Sequence, residues 1–193
     1  MKKILICLLA VSTLAILSCQ SSPAANSGDT AAKSQPAAKT DTPVSTAETG
    51  NTNRPDIEGN VTQDKVNNAL TEIYDTYYNK LNMTGAQDYV VAKGDTLSNI
   101  TRKYYGKLTG VGDAGPNNGF YFPVIMLGSH CDIVDPDFID PGMQLKIVDL
   151  KINLANPDSR KAIKDCLLDV SYVYNKKGDK ATESGLIKLA DSL

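Results

Sequence analysis

Of the 193 residues, 41% are hydrophobic, 6% are aromatic and none is Trp, which excludes a disulfide-held miniprotein by length and a wholly disordered chain by apolar content. The formal net charge is −2. Phosphate-backbone binding relies on clustered Lys and Arg, so no nucleic-acid partner is expected.

Lys2 and Lys3 precede an uncharged stretch from Ile4 to Leu17, closed by Ser18 and Cys19, the pattern of an export signal. The run is shorter than the ~20 residues a membrane span needs, so residues 1–18 read as a signal peptide that is removed. Its end, Ile16-Leu17-Ser18-Cys19, resembles the lipobox of bacterial lipoproteins. That resemblance implies lipidation of Cys19 as the first mature residue, with Gln20 directing the protein to the outer membrane and hence to the periplasm of a diderm cell. The alternative is an ordinary cleaved signal. Loss of residues 1–18 removes two lysines and no acid, taking the charge from −2 to −4.

Residues 19–59 follow, with Val44 and Ile57 as their only larger apolar side chains. Such a segment buries too little to offset its backbone entropy, and it is read as a disordered tether. Residues 60–88 are read as a helix and connector. Val66, Ala69, Leu70, Ile73, Tyr74, Tyr77 and Leu81 recur at the spacing of one helical face, with Asn60 as N-cap, Gln63 three residues on, and an end near Asn82. Tyr74 and Tyr77 read as packing, with sugar stacking as the alternative.

Tyr89-Val90-Val91-Ala92 is a run of strand formers closed by Lys93-Gly94-Asp95. Asp95 is placed to cap a helix carrying Leu97, Ile100 and Tyr104, which Gly106 ends. A glycine-rich loop spans 107–119. Phe122 to Leu127 reads as a second helix, Asp135 to Gly142 as turns, and Gln144 to Val148 alternates like a strand. Residues 151–193 form a helical extension: Asn156-Pro157 opens a helix that Lys176-Lys177-Gly178 stops, and Leu186, Leu189, Ala190 and Leu193 mark a last one. The fold class expected is α+β, a small strand, helix, helix, strand module flanked by N-terminal and C-terminal helices.

The stretch Tyr89-Val90-Val91-Ala92-Lys93-Gly94-Asp95-Thr96-Leu97-Ser98-Asn99-Ile100, with Tyr104-Tyr105-Gly106 and the later Asp135-Pro136-Asp137-Phe138-Ile139-Asp140-Pro141-Gly142-Met143-Gln144-Leu145-Lys146-Ile147, resembles a LysM domain over 89–148, which sets the domain expected at 89–150. The resemblance implies a βααβ fold and binding of N-acetylglucosamine-containing glycans of peptidoglycan or chitin without catalysis. It implies two recognition loops, Gly94, Asp95, Thr96 and Leu97 in one and Pro136, Asp137, Phe138 and Ile139 in the other. Each has a plainer alternative: a helix cap for Asp95, core packing for Leu97 and Ile139. Pro141-Gly142 is read as turn chemistry alone. The sequence departs from the family in the length of the 107–119 loop and in Gly128-Ser129. Phe120, Tyr121 and Phe122 are read either as groove lining or as core.

No enzyme is expected. His130 is the only histidine, its neighbour Cys131 has no separate base, and Asp135 and Asp137 sit inside a turn although they imitate paired glycosidase acids. Neither a metal nor a cofactor is assigned. After processing, Cys131 and Cys166 remain as a pair that an exported protein permits to bridge, with Cys166 as a small buried hydrophobe in a helical stripe as the alternative. The function expected is non-catalytic binding of peptidoglycan glycan strands by a lipid-anchored protein that links or positions envelope components, with room for an envelope protein partner. The alternatives are an interaction protein on a LysM scaffold without glycan binding, and an accessory to a cell-wall hydrolase.

Overall fold

The computed structural model describes residues 54–130 and 133–193. The export signal, Cys19 and the tether as far as residue 53 lie outside them, as does Cys131. In chain order the elements are α1 (Gln63–Tyr77), β1 (Gln87–Val90), α2 (Leu97–Tyr105), α3 (Phe122–Gly128), β2 (Gln144–Ile147), α4 (Leu150–Ala155), α5 (Pro157–Lys177) and α6 (Lys180–Asp191), with 3₁₀ turns at Tyr78–Lys80 and Gly115–Phe120. The fold is α+β, and β1 and β2 pair antiparallel.

The predicted stripe of α1 is buried from Val66 to Tyr77, but its start is Thr62 rather than Asn60, because the Thr62 side chain accepts from the Lys65 N–H. The α-helix also stops at Tyr77, short of Asn82. Beyond it, side chains from the C-terminal helices take the free carbonyls: Ser159 donates to the Lys80 carbonyl at 2.8 Å and Asn153 to that of Asn82 at 2.9 Å. Tyr74 and Tyr77 are 2% and 8% exposed, so neither presents a face to a sugar. The Tyr77 hydroxyl donates instead to the buried Asp169 carboxylate at 2.7 Å.

The tether reading ends too late. Ile57 is buried in the core, Arg54 Nε lies 3.8 Å from Asp169 Oδ1, and the Arg54 guanidinium covers the Tyr172 ring. Residues 54–59 therefore belong to the packed body. One isoleucine fully withdrawn from water contributes about 1.5–3 kcal/mol, enough to order a short flank that composition alone marks as unstructured.

The strand of the first motif is displaced. β1 covers Gln87–Val90 rather than 89–92, with Gln87 opposite Ile147 and Val90 opposite Gln144. Val91 continues the pairing by donating to Met143 and accepting from Gly142, after which the chain turns. In β2, Leu145 and Ile147 face the core while Gln144 and Lys146 face out, as alternation requires. Gly128 and Ser129 have a packing role. A Cβ on Gly128 would stand 2.7 Å from the Lys146 carbonyl oxygen, and the buried Ser129 hydroxyl accepts from the Lys146 N–H at 2.8 Å; this holds the end of α3 directly on the β2 backbone.

α5 begins and ends where the sequence indicates. Asn156 accepts from the N–H groups of Asp158 and Ser159, Pro157 takes the first position, and Gly178 closes the helix at φ +82°. Ile163, Leu167, Val170 and Val173 of α5 are wholly buried, as are Leu186, Leu189 and Ala190 of α6. Cys166, in the same stripe, is a free buried thiol, and burial raises its pKa well above the ordinary value. The structure thus has the hydrophobe and not the bridge.

Candidate functional site

The first loop is a turn from Ala92 to Asp95. The Asp95 N–H donates to the Ala92 carbonyl at 3.1 Å, and Gly94 sits in the third position at φ +91°, a conformation that favours glycine. Asp95 does not cap α2. Thr96 does, with extended backbone and its hydroxyl accepting from the Asn99 N–H. The Asp95 carboxylate is drawn back into its own turn, accepting from the Tyr89 hydroxyl at 2.6 Å and from the Ala92 N–H at 2.8 Å. These bonds, the Tyr89 one foremost, hold its pKa below the usual carboxylate range.

A depressed carboxylate adds stability that is present above its unfolded pKa, near ~3.9, and is lost as pH falls through the lower folded value. Asp95→Asn should therefore melt below the parent protein at neutral pH, and the gap should close as the pH drops under that range. Melting curves of both proteins across the acid limb check this; a gap that persists at the acid end would refute it.

The second loop is organised by Asp135, which is 5% exposed. Its Oδ1 accepts from the Asp137 N–H at 2.9 Å, its carbonyl from the Phe138 N–H at 3.1 Å, and its Oδ2 from the Gln63 amide at 2.5 Å. α5 holds the loop from outside: Lys177 Nζ lies 2.5 Å from Asp137 Oδ2 and 3.7 Å from Asp135 Oδ2, and the Tyr174 hydroxyl donates to Asp137 Oδ1 at 3.1 Å. Burial and the Asp137 charge push the Tyr174 pKa up, which keeps that hydroxyl a donor. A second tight turn follows, with the Met143 N–H donating to the Asp140 carbonyl and Gly142 at φ +97°, so Pro141-Gly142 is the turn it reads as. The bonds of Val91 to Gly142 and Met143 tie the two loops together.

Between the loops lies an open groove of about 240 Å³. Asp95, Thr96 and Leu97 line one side and Pro136, Asp137 and Ile139 the other, with Ser98 added. Six of the eight predicted residues are thus brought to one surface. Gly94 and Phe138 are not among its walls. Gly94 shapes the turn beneath, and Phe138 is 66% exposed beside the groove. Leu97 is both wall and core, at 3% exposure. Ser98 is a wall residue that the sequence reading does not single out, although it directly follows Leu97 in the first motif.

A smaller hollow of about 70 Å³ shares Leu97, Ser98, Pro136 and Asp137 with the groove and adds Phe120, Phe122, Tyr174 and Thr182. The three aromatics of the long loop's exit divide between the readings. Tyr121 is core, its hydroxyl donating to the Gly112 carbonyl at 2.6 Å. Phe122 is core and also reaches the hollow, while Phe120 is half-buried at its floor. A larger cavity of about 280 Å³ lies by Tyr104, Lys107, Ile147 and Lys151 and shares no residue with the groove. Its Tyr105 hydroxyl is already engaged by the Val148 carbonyl.

His130 stacks on Tyr78 with ring centroids 4.0 Å apart, and its Nε2 lies 2.6 Å from Asp75 Oδ1. Among the described residues no group of three or more His, Cys, Asp and Glu is arranged to hold a metal ion. No helix among them is long and apolar enough to cross a membrane. No protein-family model matches this chain, and neither a curated protein nor a solved structure matches it.

Proposed function

We propose that the groove binds N-acetylglucosamine-containing glycan strands of peptidoglycan without catalysis, as the non-catalytic module of a LysM-like lipoprotein anchored through Cys19 to the outer membrane and facing the periplasm. One observation carries this reading: the two separated motifs that resemble a LysM domain face each other across a single groove, and six of their residues line it. An N-acetyl sugar offers an amide donor, an amide acceptor and a methyl group. Such a groove meets them with the hydroxyls of Thr96 and Ser98, the Asp137 carboxylate, and the apolar sides of Leu97, Pro136 and Ile139. A single shallow site binds weakly. Confinement near the wall raises its effective concentration to roughly the millimolar range without new contacts.

The test is co-sedimentation of the full chain, extracted from membranes in detergent, with insoluble peptidoglycan. The protein should pellet with the wall, and Ile139→Glu, a change in a half-buried wall residue, should weaken retention about tenfold, a loss of about 1.4 kcal/mol. Absence of retention overturns the glycan reading in favour of an interaction protein on the same scaffold, and sugar release from the wall overturns the non-catalytic part. Mass spectrometry of the N-terminal peptide reads the anchor, which an unmodified Cys19 would remove.

A further inference from the structure

We propose that the C-terminal helices are part of the recognition surface: the hollow walled by Phe120, Tyr174 and Thr182 is a side pocket for one N-acetyl substituent of a glycan whose rings lie in the groove. The inference rests on the glycan reading above and adds residues from outside the two loop motifs.

The size argues first. At about 70 Å³ the hollow is less than a third of the groove's volume of about 240 Å³, so it is the place for a substituent and the groove the place for the rings. Its continuity argues next, since Leu97, Ser98, Pro136 and Asp137 line both spaces, so a ligand in the groove has its substituents at the mouth of the hollow.

The chemistry of the walls selects a neutral, amphipathic group. Leu97, Phe122 and Pro136 are buried, and together with the half-buried Phe120 they offer an apolar floor. The carboxylate in the lining, Asp137, is compensated by Lys177 at 2.5 Å and receives the Tyr174 hydroxyl, and that of Asp179, behind the rim, is engaged by the Thr182 hydroxyl and N–H, which weakens the attraction for a cationic amine. At the rim, the Thr182 hydroxyl donates to Asp179 Oδ2 at 2.7 Å, so its own oxygen lone pairs are left to accept from an amide N–H. An acetamido group fits this set; an ammonium or a carboxylate does not.

The floor is also fixed. A Cβ on Gly185 of α6 would overlap the Phe120 ring, so the ring rests directly on the helix backbone and cannot retreat. α6 thereby sets the depth of the pocket.

The experiment is calorimetric titration of the full chain in detergent with chitotetraose and with its fully deacetylated counterpart. The parent protein should prefer the acetylated ligand, and Thr182→Trp, which fills the hollow, should weaken chitotetraose binding about tenfold while leaving the deacetylated ligand unchanged. Thr182→Leu gives the same reading with a smaller side chain if the tryptophan variant does not fold. Equal affinity of parent and filled variant for chitotetraose overturns the side pocket and leaves the groove reading standing. Failure of the parent protein to bind either ligand instead overturns the glycan reading beneath it.

Discussion

Replacing Lys177 with methionine should destabilise the protein by about 1–3 kcal/mol and weaken its retention on peptidoglycan in the same variant. The stability loss follows from what the ammonium leaves behind. The Asp135 side chain is 4% exposed and Lys177 19%. Without the cation, Asp135 keeps only the Gln63 amide and the Asp137 N–H. Removing one partner of a fully buried pair costs about 3–5 kcal/mol. The 3.7 Å separation and the partial exposure of the lysine place this case below that range. The bridge to Asp137 adds little by itself, because that carboxylate is 50% exposed and exposed pairs contribute under about 1 kcal/mol. Its importance is positional: with Tyr174 it holds the loop 136–139 against α5, where Pro136, Asp137 and Ile139 face the groove. Urea unfolding measures the first effect and co-sedimentation the second. Lys177→Arg should recover most of both, and an unchanged unfolding midpoint in the methionine variant would refute the account.

The second large effect is expected at Gly185. Alanine in a helix interior ordinarily gains about 0.5–1 kcal/mol over glycine, so a neutral site would be stabilised by the change. Here the new Cβ would overlap three atoms of the Phe120 ring. Overpacking of this kind costs about 1–3 kcal/mol, so Gly185→Ala should be destabilising by about 1–2 kcal/mol, opposite in sign to the propensity. The relief available to Phe120 is movement into the 70 Å³ hollow, and chitotetraose binding should fall as stability does. Thermal melts of Gly185→Ala, Phe120→Leu and the double variant form a cycle that isolates the contact. The double variant should be more stable than the sum of the single effects allows, and strict additivity would show that ring and helix do not press on each other.

The groove is largely legible in the sequence because its parts are local. Gly94 and Gly142 mark turns that require positive φ, and the groove residues stand close to them in the chain. Where reading by propensity and position erred, specific hydrogen bonds had overridden it. Asp95 looks like a helix cap, but the Tyr89 hydroxyl and the Ala92 N–H draw its carboxylate back into the turn, and Thr96 takes the cap. β1 lies two residues earlier than the run of β-formers suggests, because Gln87 and Asp88 pair across to Ile147 and Lys146, a pairing that propensity does not register. α4 and the 3₁₀ turn at Gly115–Phe120 are six residues each, too short to display a period.

By itself the amino-acid order determined the helix faces, the α5 caps and the tight turns, since each depends on neighbours within a few positions. Only the tertiary structure decided that residues 54–59 join the core, that Cys166 stays a buried thiol, that Tyr174 and Lys177 reach the groove's second loop, and that Thr182 lines the hollow beside it. The Lys177–Asp137 bridge spans 40 positions in the chain, and a contact of that separation exists only once burial of the α5 and α6 stripes has brought the helices against the module.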